Sequence, residues 1–236
     1  MRIIFIRHAE PDYGIDSLTE KGWREAKALS ERVSKWDVTD FYVSPLGRAK
    51  DTASFSLERM GRTATEYDWL KEFFVPVIDP QTGQERIPWD FEPTFWTTDK
   101  RFYDIDTWTD TEIMQTGNVA EEYKKVCAGL DDLLANYGYH RYERYYKVEK
   151  HSDDTIVIFC HLGVTCVMLS HLLGISPMQL WHGYFLAPSS VTVLSTEEVV
   201  KGNAYFRCQV MGDTNHLKAA GEPVSYYGYF TEPFQG

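Results

Sequence analysis

Two short apolar runs, each ending at a histidine, constrain this sequence more than any other feature. The first extends from Ile3 to Ile6, contains β-branched and aromatic residues, and leads directly into Arg7 and His8. Such a run is typical of a strand buried on both faces, as in a parallel sheet. Pro11 then excludes a continuing central strand. We therefore predict that Arg7 and His8 lie at the carboxyl end of a buried strand, where open α/β sheets bind their ligands.

The second run lies about two thirds of the way along the chain. Thr155 to Cys160 is again apolar, and His161 follows it directly. The segment Val164 to Leu173 predicts an apolar helix, and Gly174 predicts its end. The sequence thus indicates a second buried strand that also presents a histidine at its carboxyl end.

Helical patterns separate these strands. After the first strand, apolar residues recur at the three- and four-residue spacing of an amphipathic helix, at Trp23, Ala26, Leu29 and Val33. We expect Thr19 to cap the start of this helix and the helix to end near Trp36.

A further strand–helix unit follows. Residues 40–43 predict a short strand, and the Ser44-Pro45 pair supplies an N-cap residue and a proline for the first helical position. The helix predicted there carries Arg48 in its first turn and ends at Gly61. Another strand is expected near residues 64–68.

The segment from Phe73 to Gly117 has a different character, with four prolines, three tryptophans and no long apolar period. We interpret it as an insertion with short helices, packed over one end of the sheet. A helix is predicted from Asn118 onward, and a helix end or hairpin over residues 137–150. Closing strands are predicted at 190–194 and 204–210, before a tail that crosses the body of the protein.

Parallel strands need crossover connections, which are usually helices, so the alternation of strands and helices predicts an α/β fold with a mostly parallel central sheet. The length of 236 residues suits one large domain. We expect a single domain over residues 1–236 that carries an insertion at about 73–117.

Composition excludes several classes of function. The net charge of -11 argues against general nucleic-acid binding, although a few arginines can still form a local site for an anionic substrate. No apolar stretch reaches transmembrane length, and the first residues run directly into a strand without a signal peptide. The four cysteines lack the pair spacing of a zinc site and fit free thiols in a reducing cytosol. We expect a cytoplasmic protein.

The groups best suited to bind or attack an anion are Arg7, His8, Arg48 and His161. Each follows a predicted strand, and the carboxyl ends of parallel strands meet at one edge of a sheet. Arg48 also lies in a helix first turn, where free N–H groups favour a phosphate. Two arginines and two histidines on one edge predict a phosphoryl-binding site.

The ordered motifs that carry these groups are Arg7-His8-Ala9-Glu10, Leu18-Thr19-Glu20-Lys21-Gly22 followed by Ala26, Ser44-Pro45-Leu46-Gly47-Arg48-Ala49-Lys50-Asp51-Thr52-Ala53, Leu70-Lys71-Glu72, Cys160-His161-Leu162-Gly163 and Asp213-Thr214-Asn215-His216-Leu217. Together they resemble the motifs of the histidine phosphatase superfamily, also called the phosphoglycerate mutase-like superfamily. The resemblance covers roughly residues 1–72 and 155–217. It implies a three-layer α/β/α sandwich and a phosphatase that acts through a covalent phosphohistidine.

The resemblance also implies roles for individual residues. His8 would be the nucleophile, while Arg7, Arg48 and His161 would hold the phosphate oxygens. Glu72 would protonate the leaving oxygen and then activate water, with Asp68 or Glu66 as neighbouring alternatives. No metal and no cofactor are expected. The expected partner is a small phosphorylated substrate, without nucleic acid or membrane, and a homodimer is left open.

The sequence departs from the family pattern at three positions and in the insertion. Ala9 stands where glycine is usual, which requires a negative φ at that position. Gly14 replaces an asparagine that many members use to contact phosphate, and Leu162 replaces a small residue. The insertion at 73–117 matches no substrate-specific subfamily, and a lid over the phosphate site would contribute side chains to substrate selection.

Three alternatives remain open from the sequence. A phosphomutase would share the fold and the catalytic centre but would need to protect the phosphoenzyme from water. A phosphate-ligand-binding domain without catalysis would not need the nucleophile. A metallohydrolase would use His8, Glu10, Asp12 and His161 as ligands. The positive charges of two neighbouring arginines would, however, repel a divalent cation.

Overall fold

The computed structural model describes residues 1–229 and 231–235. Its strands are β1 (Arg2–Arg7), β2 (Pro11–Asp12), β3 (Ser17–Leu18), β4 (Asp40–Val43), β5 (Thr65–Glu66), β6 (Val77–Ile78), β7 (Glu85–Arg86), β8 (Tyr139–Tyr142), β9 (Tyr145–Val148), β10 (Thr155–Cys160), β11 (Val191–Val200) and β12 (Asn203–Asp213). Its α-helices are α1 (Glu20–Val33), α2 (Gly47–Met60), α3 (Pro93–Trp96), α4 (Val119–Ala135), α5 (Leu162–Leu173), α6 (Pro177–Gly183) and α7 (Asn215–Ala220). Short 3-10 helices span Asp68–Leu70, Lys100–Tyr103, Trp108–Asp110 and Met114–Thr116.

Eight of the strands form one central sheet in the order β5-β4-β10-β1-β11-β12-β9-β8. The four neighbours β5, β4, β10 and β1 are parallel, and the remaining pairings are antiparallel. The α/β class is therefore confirmed, and the parallel half of the sheet is the half that carries the predicted site. The hairpin expected within residues 137–150 is present as β8 and β9, which extend the antiparallel half.

Alternate side chains of β1 point to opposite faces of the sheet, so apolar side chains lie on both faces. Helices pack against each face. Ile4 and Ile6 lie in one core with Leu29 of α1 and Ala49 of α2. Ile3 and Phe5 lie in the other core, which includes side chains of α4, α5 and α6. The three-layer α/β/α arrangement is thus built from a strand that is apolar on both faces, as the sequence predicts.

Two of the predicted helix starts have different outcomes. The hydroxyl of Thr19 accepts a hydrogen bond from the N–H of Gly22 at 3.0 Å, so the predicted cap of α1 is confirmed. The Ser44-Pro45 start for α2 is wrong, because this helix begins at Gly47. The Ser44 hydroxyl instead contacts the ring of His161 at 2.7 Å. Arg48 still lies in the first turn, and Gly61 ends the helix in a left-handed conformation.

The 73–117 segment consists of the β6–β7 ribbon, α3 and three 3-10 helices, which agrees with the expectation of short helices. Its centre is Trp108, which is 1% exposed and meets Tyr123 of α4 and Trp181 of α6 at ring distances of 5.2 and 5.6 Å. The segment therefore shares a hydrophobic core with the helices on that face. No helix within residues 1–229 and 231–235 has the length and apolar character needed to cross a bilayer.

We expect Trp108→Ala to lower the free energy of unfolding by about 3–5 kcal/mol, because it leaves a large cavity between the insertion and two helices. Phe74→Ala is the matched control: this aromatic side chain lies in the same segment but is 63% exposed. Its expected effect is within about 0.5 kcal/mol. Urea unfolding of the two variants measures the difference. Similar losses in both would mean that Trp108 does not anchor the segment.

Candidate active site

The pairing of β1, β10 and β4 brings the predicted groups to one edge of the sheet. Arg7 is the register partner of Cys160, so His8 and His161 follow the ends of neighbouring parallel strands. Their ring centroids are 5.1 Å apart. The four side chains that we call the phosphate cluster are almost fully buried, with exposed fractions of 5% for Arg7, 1% for His8, 8% for Arg48 and 0% for His161.

Hydrogen bonds fix the tautomer of His8. Nδ1 lies 2.8 Å from the carbonyl oxygen of Ala9, which can only accept, so Nδ1 carries the proton and Nε2 carries the lone pair. Burial holds the pKa of His8 well below its usual value of 6.5, and the positive charge of Arg7 lowers it further. At neutral pH the ring is therefore an uncharged imidazole with Nε2 available to attack.

His161 has one free nitrogen. Its Nε2 bonds to the hydroxyl of Ser44 at 2.7 Å, and its buried Nδ1 has no hydrogen-bond partner among the described residues. Burial, followed by the proximity of His8, lowers the pKa of His161 well below 6.5. Nδ1 is therefore free to form a hydrogen bond with a ligand bound between the two histidines.

The two arginines are held differently. Arg7 donates to the backbone carbonyls of Leu186 at 2.6 Å and Tyr227 at 3.4 Å, and within the described residues it forms no ion pair with a carboxylate. Arg48 forms an ion pair with Asp16 at 2.6 Å. The Nε atoms of both arginines are buried and have no protein partner there. Both guanidinium groups thus keep donors for an anion.

The side chain of Glu72 lies against the start of α5, close to the phosphate cluster. Its Oε1 accepts hydrogen bonds from the N–H of Phe73 at 2.8 Å and the N–H of Val164 at 3.0 Å. Oε2 accepts none from the described residues. The neighbouring candidates lie at the surface, where Asp68 pairs with Lys71 and Glu66 pairs with Lys50. Glu72 alone of these three carboxylates touches the helix that follows His161.

The sequence model of the histidine phosphatase superfamily (branch 1) matches residues 3–201. This chain belongs to the histidine phosphatase superfamily. A comparison with curated protein sequences gave no significant match.

Solved structures show the same fold. A mycobacterial glucosyl-3-phosphoglycerate phosphatase is 21% identical, with a TM-score of 0.60 over 89% of this chain and 98% of that one. A phosphoserine phosphatase from Entamoeba histolytica, solved with 3-phosphoglyceric acid, is 19% identical, with a TM-score of 0.61 over 92% of this chain and 98% of that one. YhfR from Bacillus stearothermophilus is also 19% identical, with a TM-score of 0.58 over the same two shares.

The loop after His8 in this histidine phosphatase is held by two side chains. The N–H of Ala9 donates to the hydroxyl of Thr52 at 2.9 Å, and the N–H of Glu10 donates to the buried carboxylate of Glu25 at 2.9 Å. Ala9 is not among the residues with positive φ, so its methyl group is accommodated in place of the usual glycine.

Sequence reasoning missed Ser189. This buried residue adopts a left-handed conformation with φ of 59°, which is unusual for a serine. Its N–H donates to the carbonyl of His8 at 3.1 Å, and its hydroxyl contacts Nε2 of His216 at 3.0 Å. No local pattern indicates this role, but the C-terminal motif that contains His216 is the feature that could have led to it.

The C-terminal tail also contributes to the site, which the sequence indicated only as a segment crossing the body. Tyr227 supplies a carbonyl to Arg7, and the hydroxyl of Ser225 donates to Glu10 at 2.6 Å. A Cβ built on Gly228 would lie 3.5 Å from a terminal nitrogen of Arg7. The tail therefore forms one wall of the phosphate cluster.

The carboxylate of Glu10 is engaged away from the histidines, with Thr19 at 2.9 Å and Ser225 at 2.6 Å. Among the residues that the structure describes, no group of three His, Cys, Asp or Glu side chains is arranged to hold a metal ion. Cys160 precedes His161, but burial raises the pKa of its thiol to about 12, so it is protonated at neutral pH. The geometry favours imidazole as the nucleophile.

The neutral His216 should make stability depend on pH. Burial lowers its pKa from 6.5 to about 4, so below pH 6.5 the unfolded chain takes up a proton that the folded protein does not accept. Stability is then lost as pH falls, and at pH 5 this histidine alone should remove about 2 kcal/mol. Urea unfolding at pH 7.5 and 5.0, without phosphate, measures the loss.

The His216→Gln variant isolates this contribution from those of the other buried histidines. It should be less stable at pH 7.5, yet lose about 2 kcal/mol less than the parent protein between pH 7.5 and 5.0. Equal losses in the two proteins would show that His216 does not remain neutral in the folded state.

Proposed function

We propose that this protein is a phosphatase that hydrolyses a small phosphate monoester through a phosphohistidine at His8, without a metal ion. The family of this chain and the phosphatases among the solved structures with the same fold support a phosphoric monoester hydrolase. The observation that carries the proposal is the buried, neutral His8, whose Nε2 stays unprotonated in a cluster with two arginines and a second histidine. That combination supplies a nucleophile and the cationic donors that a phosphoryl group requires.

In the first step, Arg7, Arg48 and His161 bind the non-bridging oxygens of the substrate. Three nitrogens without protein partners, Arg7 Nε, Arg48 Nε and His161 Nδ1, are available for these bonds. Nε2 of His8 attacks phosphorus, and a P–N bond forms as the bond to the ester oxygen breaks. The cationic donors stabilise the charge on the transferring group.

Glu72 completes both steps as the acid and then the base. Its protonated carboxyl donates a proton to the departing ester oxygen, which leaves as an alcohol. In the second step the Glu72 carboxylate removes a proton from water, the water oxygen attacks phosphorus, and the P–N bond breaks. His8 returns to its neutral form, and inorganic phosphate is released with the proton balance restored.

The substrate class is inferred at the level of a small phosphorylated metabolite. The solved structures named above are of a glucosyl-3-phosphoglycerate phosphatase and of a phosphoserine phosphatase in complex with 3-phosphoglyceric acid. At 19–21% identity these names do not transfer to this chain. Hydrolysis is preferred over a mutase reaction because Gly14 lacks the side chain that many members place on the phosphate and because the insertion is rich in aromatic residues.

We also infer that residues 1–236 act as one domain located in the cytoplasm. The insertion shares a core with α4 and α6, which favours a single unit. All four cysteines are free, and Cys127, Cys160 and Cys166 are buried, as is common where thiols remain reduced.

Rapid quench with a ³²P-labelled phosphate ester should trap an acid-labile, base-stable phosphoenzyme, because P–N bonds of phosphohistidine hydrolyse in acid. The His8→Ala variant should form none, while His140→Ala, which changes an exposed histidine paired with Glu149, should form the normal amount. Chelator should leave the yield unchanged. An adduct of the same stability in His8→Ala would assign the nucleophile elsewhere.

Glu72→Gln should slow alkyl phosphates by about 10²–10⁴-fold, because poor leaving groups depend on general acid catalysis. Formation of phosphoenzyme from p-nitrophenyl phosphate should fall only modestly, since its leaving anion needs little protonation. Single-turnover rates separate this step from hydrolysis of the adduct. Asp68→Asn, a nearby exposed carboxylate, is the control and should leave both substrates unaffected. Equal losses for the alkyl and aryl esters in Glu72→Gln would transfer the acid role to another residue.

A further inference from the structure

A cleft of about 540 Å³ opens beside the phosphate cluster. Four segments form its walls: the insertion, the start of α5, the end of α6 with the residues that follow it, and the C-terminal tail. Most of its lining is aromatic or aliphatic, including Trp89, Phe91, Leu162, Trp181, Phe185 and Tyr229. Nothing in the mechanism above uses these side chains.

The cleft adjoins the position where the ester oxygen must leave. Leu162 follows His161 directly in the chain, and Gly228 lies against Arg7. A Cβ built on Gly163 would lie 2.7 Å from Glu72 Oε1 and 3.0 Å from the indole nitrogen of Trp89. The carboxylate that would protonate the leaving oxygen is therefore next to a cleft residue. The alcohol portion of the substrate would enter the cleft.

Several of the aromatic rings are fixed before any substrate binds. The indole N–H of Trp89 donates to the carbonyl of Phe73 at 2.9 Å, and that of Trp181 donates to the carbonyl of Gly163 at 3.0 Å. Phe185 stacks on Tyr229 with ring centroids 4.3 Å apart and an interplanar angle of 12°. Rings held in place in this way favour a flat ligand that can contact them without reordering the site.

The charges of the cleft exclude a second anionic group. Among the described residues that line it there is no lysine or arginine, and Asp90 is the single acidic side chain. His182 is neutral, because its Nδ1 donates to the Met178 carbonyl at 2.8 Å while its Nε2 accepts from the Phe91 N–H at 3.3 Å. A carboxylate on the leaving group would lose hydration and approach Asp90. Arg86 donates to the carbonyl of Asp90 from outside the lining, but it already pairs with Glu92 at 3.1 Å.

We propose that the leaving group of the natural substrate is a planar, uncharged aromatic or heteroaromatic alcohol bound in this cleft. The proposal rests on the proposed function and narrows its substrate class. It distinguishes this chain from the phosphatases whose phosphoserine or 3-phosphoglyceric acid ligands carry a carboxylate beside the phosphate ester.

Two matched pairs of synthetic esters test the proposal on the unaltered protein. Benzyl phosphate and cyclohexylmethyl phosphate differ in planarity but release primary alcohols of similar basicity, and kcat/KM should favour benzyl phosphate by about 10-fold. Benzyl phosphate and 4-carboxybenzyl phosphate differ in charge, and the carboxylate should reduce kcat/KM by about 10-fold or more.

Two variants connect these preferences to the cleft. Phe185→Leu keeps an apolar side chain but removes the stacked ring, so the preference for the benzyl ester should fall to about 3-fold or less. Asp90→Lys should restore kcat/KM for 4-carboxybenzyl phosphate toward that of the benzyl ester. Glu85→Lys makes the same charge change on β7, outside the cleft, and should not restore it.

The outcomes separate this inference from the proposed function. If the esters are hydrolysed but the benzyl and cyclohexylmethyl esters have equal kcat/KM, or if the carboxylate causes no loss, the assignment of the leaving group is overturned and the phosphatase proposal stands. If none of the esters turns over and no phosphoenzyme is trapped, the proposed function fails, and the substrate class fails with it.

Discussion

The active site is organised around a buried positive charge that, among the described residues, forms hydrogen bonds only to backbone carbonyls. The guanidinium of Arg7 is 5% exposed and bonds to Leu186 and Tyr227, without a carboxylate partner among the described residues. An isolated buried charge is unfavourable, and an anion that enters this environment is attracted far more strongly than in water. The same charge helps to keep His8 neutral. Arg7 thus attracts an anion and helps to keep the neighbouring His8 uncharged, as the proposed nucleophile must be.

The sequence was sufficient to predict the parts of the site that depend on local pattern. Apolar runs with an abrupt polar end located His8 and His161, and the spacing after Ser44 located Arg48. The contacts between distant segments could not be read in this way. Ser44 carries the properties of a helix cap, yet its hydroxyl bonds to His161, 117 residues away, and the helix starts later. For the same reason the sequence did not indicate Ser189, whose role depends on contacts with His8 and His216.

The insertion illustrates a different limit of sequence patterns. Its helices are one turn long, so no period of 3.6 residues can develop, and its tryptophans gave no sign of which were core residues. The structure separates them: Trp108 is buried between helices, whereas Trp89 lies beside Gly163 and Glu72. Glycine at position 163 permits this approach, because a side chain there would overlap the carboxylate. One backbone position therefore joins the acid of the proposed mechanism to the cleft that the insertion helps to form.

The strand order of the parallel half has a consequence for synthesis of the chain. β10 lies between β1 and β4, and Arg2 pairs with Thr155, so β1 has no neighbouring strand until most of the protein has been made. The other neighbour of β1 is β11, which is later still. At ribosomal rates of about 5–20 residues per second, β1 remains without a paired strand for on the order of ten seconds. A nascent chain with such an exposed apolar strand is a natural client for chaperones, and its assembly is slow because the decisive contacts are non-local.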